Sequence, residues 1–129
     1  MERVTSRGQA DATLPGCCIT KRSHDEIGVA LTGDIDHHRA AQLREHLDAL
    51  ICRDRPRCLY VDLSGIEFMD SSGLGLIMGR YALLQKLGGV LTLRNPHERI
   101  VKIFELAGLG RMVQIEQEAV RTEQKEDKQ

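Results

Sequence analysis

Two hydroxyls and a carboxylate stand together at Asp70, Ser71 and Ser72, where an apolar segment is followed by residues with helical spacing. A serine can act as a nucleophile, help to hold a phosphate group, or accept a phosphoryl group from a kinase. Phosphorylation adds roughly −1.5 to −2 charges at the modified residue. A helix N-terminus tolerates such an anion, because it presents unpaired N–H groups and the positive end of the helix dipole. The position of these residues therefore indicates a switchable surface.

The serine chemistries require different neighbours. A hydrolase elbow needs the pattern G-x-S-x-G, but Met69 and Asp70 precede Ser71. A phosphate-binding P-loop needs G-x-x-x-x-G-K-[ST], and no lysine lies near this turn. Phosphorylation needs no catalytic group in the chain itself. Two alternatives stay open: a small serine hydrolase using Ser71 or Ser72, and a structural subunit in which these residues only cap a helix.

Three glycines follow the serines at positions that predict a helix. Gly73, Gly75 and Gly79 are unusual there, because each glycine costs roughly 0.5–1 kcal/mol relative to alanine in a helix interior. They either permit close packing of the helix on a sheet or leave the helix start bare, so that a partner can lie flat on it. Leu74 and Leu76 point to different sides of this turn, so one of them could stay exposed as an anchor.

A second polar cluster closes an earlier strand with Asp34, Asp36, His37 and His38. Two carboxylates and two imidazoles suggest a metal site, but adjacent histidines point in different directions and no second ligand cluster is evident. We therefore expect no metal, and we expect Asp36 to cap the following helix. If the second and third strands are neighbours, this cluster and Ser71 lie at one edge of the sheet and form one acidic, hydroxyl-bearing surface.

The hydrophobic pattern predicts an α/β domain with a mixed sheet of four to five strands and three to four packed helices. The first two strands, expected at 16–21 and 28–32, are too close for a parallel crossover and must form a hairpin. The third strand is near-continuously apolar, which is typical of a central strand covered on both faces. The remaining predicted elements are helices from about 38 to before Pro56 and from about 72 to 87, strands at 58–63, 90–94 and 113–116, and a helix after position 95.

The last predicted helix has the clearest end signals. Asn95 is expected as its N-cap, Pro96 as its first residue, and Glu98 as the acidic residue three positions after the cap. Gly108 is expected as its C-cap. In the preceding helix, Arg80 has the spacing of an ordinary solvated position.

Composition limits the class of partner. The chain has 129 residues, 29% of them charged, and a formal net charge of −1. This balance gives no electrostatic reason to expect nucleic acid or a membrane surface as the partner. No apolar run is long enough for a transmembrane helix. The cysteines lack a C-x-x-C pair and have apolar neighbours, so we expect buried, reduced thiols in a cytoplasmic protein. They are Cys17, Cys18, Cys52 and Cys58.

The ends of the chain differ from its middle. Residues 1–12 are polar and lack periodicity, which predicts a flexible leader. Residues 117–129 are mostly polar or charged, which predicts a solvated helix or a tail. One domain is expected between them, at 13–116.

Two segments resemble the STAS-domain anti-anti-sigma factors, most closely the sporulation members of endospore-forming bacteria. They are 31–38, Leu-Thr-Gly-Asp-Ile-Asp-His-His, and 68–81, Phe-Met-Asp-Ser-Ser-Gly-Leu-Gly-Leu-Ile-Met-Gly-Arg-Tyr. Segment 101–109 adds weaker support, and the similarity extends over roughly 14–116. The resemblance implies a single STAS domain, with a mixed sheet and packed helices.

The resemblance also implies a function without enzymatic activity or cofactor. Family members bind, when unphosphorylated, an anti-sigma factor that is also a serine kinase, and this binding releases a sigma factor. Phosphorylation of a serine that matches Ser71 switches binding off, and a serine phosphatase restores it. Contact with the nucleotide held by the kinase is also implied. The expected partner-binding residues are Asp34, Asp36, Asp70, Ser72, Gly73, Leu74 and Gly75.

Overall fold

A five-stranded mixed sheet in the order β1-β2-β3-β4-β5 forms the centre of the computed structural model, which describes residues 14–117. The β1–β2 pair is the antiparallel hairpin that the spacing predicted, and every later neighbouring pair is parallel. The expected leader at 1–12 and all but the first residue of the expected tail at 117–129 lie outside the described residues. The strands are β1 (Cys17–Ser23), β2 (Glu26–Thr32), β3 (Cys58–Gly65), β4 (Val90–Arg94) and β5 (Gln114–Glu116).

The helices pack against one face of this sheet. In the described part they are α1 (His37–Asp54), α2 (Ser71–Lys86) and α3 (Glu98–Leu106), followed by a 3-10 turn at Leu109–Arg111. They share one hydrophobic core with alternate residues of the strands. The mixed α/β architecture of the prediction is therefore confirmed. The α1 residues in the core are those of the predicted apolar stripe: Ala40, Leu43, Leu47, Leu50 and Ile51.

The opposite face of the sheet is partly open, and here the prediction for β3 was wrong. Leu59, Val61 and Leu63 enter the core, whereas Tyr60 and Asp62 on the other face are only half-buried. The apolar run looked continuous because Tyr60 combines an apolar ring with a polar tip and tolerates partial exposure. Tyr60 lies between the guanidinium groups of Arg22 and Arg94, at 4.6 and 5.1 Å from its ring centroid.

Both strands of the hairpin are longer than predicted. β1 ends at Ser23 and β2 begins at Glu26, so only His24 and Asp25 form the turn. Ser23 pairs with Glu26 across the turn after a shift in register at the end of β1. Residues 22, 23, 26 and 27, which lie between the two predicted strands, therefore belong to the hairpin strands.

The predicted start of α3 was wrong. His97 is the N-cap and Glu98 is the first helical residue. Asn95 has a left-handed backbone, with φ of 52°, and donates its N–H to the carbonyl of Glu116 at 2.7 Å. An N-cap residue has an extended backbone, so the left-handed Asn95 lies outside the helix. At the other end, Ala107 is the C-cap and Gly108 follows it with φ of 80°.

Arg80 is buried rather than solvated, which corrects the prediction from helical spacing. Its Nε lies 2.9 Å from Oδ1 of Asp48 on α1, and the pair joins the two helices. Burial lowers the pKa of the Arg80 guanidinium, and the charge of Asp48 opposes that shift. A helix pattern read alone cannot show that the neighbouring helix places a carboxylate opposite this position.

The prediction of buried cysteines also fails in part. Cys17 is buried, Cys58 is half-buried, and Cys18 and Cys52 are exposed. Cys17 and Cys18 point to opposite faces of β1, as adjacent strand residues must. Apolar neighbours in the chain did not indicate which side of each element faces the core.

Candidate functional site

Backbone pairing beyond the ends of β2 and β3 brings two loops together. We call residues 33–36 the β2–α1 loop and residues 66–70 the β3–α2 loop. The Ile35 N–H donates to the Phe68 carbonyl at 3.1 Å, and the Asp70 N–H donates to the Ile35 carbonyl at 3.3 Å. Ile35 and Met69 form a parallel bridge and are buried. The N-termini of α1 and α2 consequently lie side by side, at the edge where the parallel strands end.

An aspartate caps each of these helices. Oδ1 of Asp36 accepts the Arg39 N–H at 2.9 Å, which confirms the cap predicted for α1. Oδ1 of Asp70 accepts the Ser72 N–H at 2.8 Å and caps α2. Each bond satisfies one of the N–H groups that a helix start leaves unpaired.

The two serines have different surroundings. Ser71 is the first residue of α2, and its exposed side chain makes no hydrogen bond with any of residues 14–117. Ser72 is half-buried, and its Oγ lies 3.4 Å from Nδ1 of His37 at the start of α1. The Ser71 hydroxyl is therefore the one that an approaching protein can reach directly.

A nucleophile needs a base that is oriented by a third group. In the described part of the chain, no imidazole is within hydrogen-bonding distance of the Ser71 hydroxyl. His37 approaches Ser72 instead, and no carboxylate among those residues holds its ring. Nε2 of His97 lies 3.0 Å from the Ser64 carbonyl and therefore does not pair with Ser71 or Ser72. Nor do three or more His, Cys, Asp or Glu side chains from residues 14–117 form a group suited to a metal ion.

Three carboxylates lie on the two loops next to Ser71, as the sequence suggested. Asp34 and Asp36 are exposed and Asp70 is half-buried. The Asp34 carboxylate makes no hydrogen bond or ion pair with a described residue. Phe68, which was not among the predicted binding residues, is 52% exposed on the same loop as Asp70. Neighbouring residues in an extended segment face opposite sides, which places Phe68 away from the core that buries Met69.

The glycines at the start of α2 have different roles. A Cβ on Gly73 would lie 2.8 Å from Cβ and 2.9 Å from Sδ of Met69, so Gly73 permits close packing. A Cβ on Gly75 or Gly79 would meet nothing within 4 Å. Packing therefore explains Gly73 but not Gly75, which leaves the exposed side of the helix start bare.

The two leucines of this turn do not provide a fully exposed anchor. Leu76 is buried and Leu74 is half-buried against the core. A shallow groove between α1 and α2 continues from Ser72 and carries one arginine on its wall. Its lining residues are His37, Ala40, Ala41, Arg44, Ser72, Gly75 and Leu76.

Comparison with known proteins extends these observations. The family model of the STAS domain matches residues 19–124 of this chain. An anti-sigma F factor antagonist of Lysinibacillus sphaericus is 35% identical over 88 residues, which are 68% of this chain and 75% of that protein. An anti-sigma-B factor antagonist of Bacillus subtilis (strain 168) is 35% identical over 95 residues, 74% of this chain and 85% of that protein.

Solved structures show the same architecture. The unphosphorylated form of the anti-sigma factor antagonist SpoIIAA matches with a TM-score of 0.70 at 26% identity, over 85% of this chain and 96% of that one. The phosphorylated form of SpoIIAA from Bacillus matches with a TM-score of 0.65 at 27% identity, over 84% and 97%. In the described residues, no helix is both long enough and apolar enough to span a membrane.

Proposed function

This chain belongs to the STAS-domain family, and from that premise we propose that it is an anti-sigma factor antagonist switched by phosphorylation of Ser71. Unphosphorylated, it binds an anti-sigma factor that is also a serine kinase, and a sigma factor is released. A serine phosphatase acting on phosphorylated Ser71 restores binding. The observation that carries the proposal is the exposed Ser71 hydroxyl, at a helix start between two carboxylate-bearing loops.

The binding surface consists of the β2–α1 loop, the β3–α2 loop and the first turn of α2. Asp34 and Asp36 supply exposed charge, and Phe68 supplies exposed apolar area. Gly75 supports the assignment, because its open side leaves room for a partner backbone. Gly73 contributes by allowing the turn to pack on Met69. The other residues assigned to this surface are Asp70, Ser72 and Leu74.

A single phosphate suffices to switch such a surface. A neutral hydroxyl that forms a hydrogen bond to the partner can be buried at small cost. A phosphate at Ser71 would add negative charge next to Asp70 and near Asp36, and burying that charge without a paired cation costs several kcal/mol. A loss of about 4 kcal/mol weakens binding roughly a thousandfold.

The activity proposed here is binding rather than catalysis. Since the anti-sigma factor is itself a kinase, Ser71 in the bound complex would face the nucleotide held by that partner. These partners would place the chain in the cytoplasm. No cofactor takes part in the proposed cycle on the side of this chain.

The proposal is tested by phosphorylating the purified chain with an anti-sigma factor kinase of the source organism and magnesium ATP. We expect one phosphate per chain by intact mass, mapped to Ser71 by peptide fragmentation. Ser71→Ala should abolish incorporation, whereas the matched variant Ser72→Ala should keep it, because Ser71 is exposed and Ser72 is half-buried.

Two results would contradict this function. Phosphate that is still incorporated into Ser71→Ala would assign the modification elsewhere. Covalent labelling of the unmodified chain by a fluorophosphonate probe, lost in Ser71→Ala or Ser72→Ala, would indicate a serine hydrolase instead.

A further inference from the structure

Arg39 connects the β2–α1 loop to the segment that precedes β1. Its Nη1 donates to the carbonyl of Asp34 at 2.9 Å, and its Nη2 donates to the carbonyl of Gly16 at 3.1 Å. The planar guanidinium can hold two acceptors in fixed directions, which a lysine ammonium does less well. The side chain therefore ties the loop that carries Asp34 to the rest of the sheet.

Two glycines leave room for the Arg39 guanidinium. Gly16 and Gly33 both have left-handed backbones, with φ of 76° and 90°. A Cβ on Gly16 would overlap Nη2 of Arg39, and one on Gly33 would lie 3.1 Å from Nη1. The Gly16 carbonyl also accepts the Thr32 N–H at 2.9 Å. One carbonyl thus joins the start of β1, the end of β2 and the Arg39 side chain.

We propose that Arg39 is the positioning residue of the partner-binding surface, an inference that rests on the proposed function. The Asp34 carboxylate is exposed and makes no bond with a described residue, so among these residues only the loop backbone sets where this side chain starts. Arg39 holds that backbone through the Asp34 carbonyl, and its own backbone N–H donates to Oδ1 of Asp36. Without the guanidinium, the loop would have to be ordered when the partner binds, and that ordering reduces affinity.

The test compares Arg39→Met, which keeps most of the apolar stem, with Arg57→Met, a matched control at an exposed arginine just before β3. Affinity for the anti-sigma factor is measured by calorimetry, and amide hydrogen exchange is followed without partner. We expect Arg39→Met to bind about tenfold more weakly, equivalent to about 1.4 kcal/mol, with faster exchange in the β2–α1 loop. Arg57→Met should match the wild type in both measurements.

Arg39→Lys separates geometry from charge and carries the test if Arg39→Met does not fold. It keeps the positive charge but cannot reproduce the planar fork to both carbonyls, so it should also show weaker binding and faster loop exchange. Full affinity in Arg39→Lys, or unchanged loop exchange in Arg39→Met, would overturn the positioning role. Failure of the wild type to bind the anti-sigma factor would instead contradict the proposed function, and the exchange measurement would still decide the role of Arg39.

Discussion

The N-termini of α1 and α2 share a design but carry different side chains. Each helix follows one of two neighbouring parallel strands and is capped by an aspartate, Asp36 or Asp70. The first residues of α1, at 37–39, are two histidines and an arginine, whereas those of α2, at 71–73, are two serines and a glycine. The same backbone arrangement thus presents large cationic or aromatic groups at one helix and small neutral groups at the other.

This difference separates two tasks that a switch requires. At α1, Arg39 uses its side chain to hold the adjacent loop in place. At α2, Ser71 makes no side-chain bond with described residues and Gly75 carries no side chain, so a change there affects the surface more than the fold. A modifiable hydroxyl is useful where its modification does not disrupt packing.

The largest expected effect is on affinity for the anti-sigma factor, and it distinguishes a charge at the start of α2 from the same charge at its end. Ser71→Asp should weaken binding of the anti-sigma factor by about a hundredfold, because a fixed carboxylate would be buried beside Asp70. Ser71→Ala should bind like the wild type. Gln85→Asp adds the same charge at the exposed last turn of α2 and should leave affinity unchanged. Calorimetric titration of the three variants measures these differences, and equal losses in Ser71→Asp and Gln85→Asp would refute a local switch.

A smaller effect distinguishes the packed and bare sides of the α2 start. Gly73→Ala should lower the free energy of unfolding by about 1–3 kcal/mol, because the added methyl must displace Met69. Gly75→Ala should raise it by about 0.5–1 kcal/mol, because alanine favours the helix and the site is open. Urea denaturation of both variants gives the two values. Destabilisation by both substitutions would show that Gly75 is also needed for packing.

The last expected effect concerns the feature that the two helix starts share. Asp36→Ala and Asp70→Ala should each lower the free energy of unfolding by about 1 kcal/mol, the usual loss for an N-cap. Thermal and urea denaturation measure both losses. If only one variant is destabilised, the two caps are not equivalent, and the two helix starts do not share the same design.

Local patterns predicted much of this architecture. The apolar stripe of α1 and its Asp36 cap depend on residues within a few positions of one another, and both are as predicted. The same local reasoning failed for Asn95, which has a left-handed backbone rather than that of an N-cap and bonds through its N–H to Glu116, twenty-one residues later in the chain. It failed for Arg80, since the carboxylate of Asp48 belongs to another helix. Each error involved a contact between elements that are distant in sequence.

The sequence by itself determined which segments become strands and helices, and that hydroxyls and carboxylates occur at helix starts, because periodicity and capping act over a few residues. Only the tertiary structure decided that the Ile35–Met69 pairing joins two loops into one surface, and that Ser71 is exposed while Ser72 meets His37. It also placed Arg39 against the carbonyls of Asp34 and Gly16. These outcomes depend on which elements become neighbours, and that is settled by burial of the shared core rather than by any local pattern.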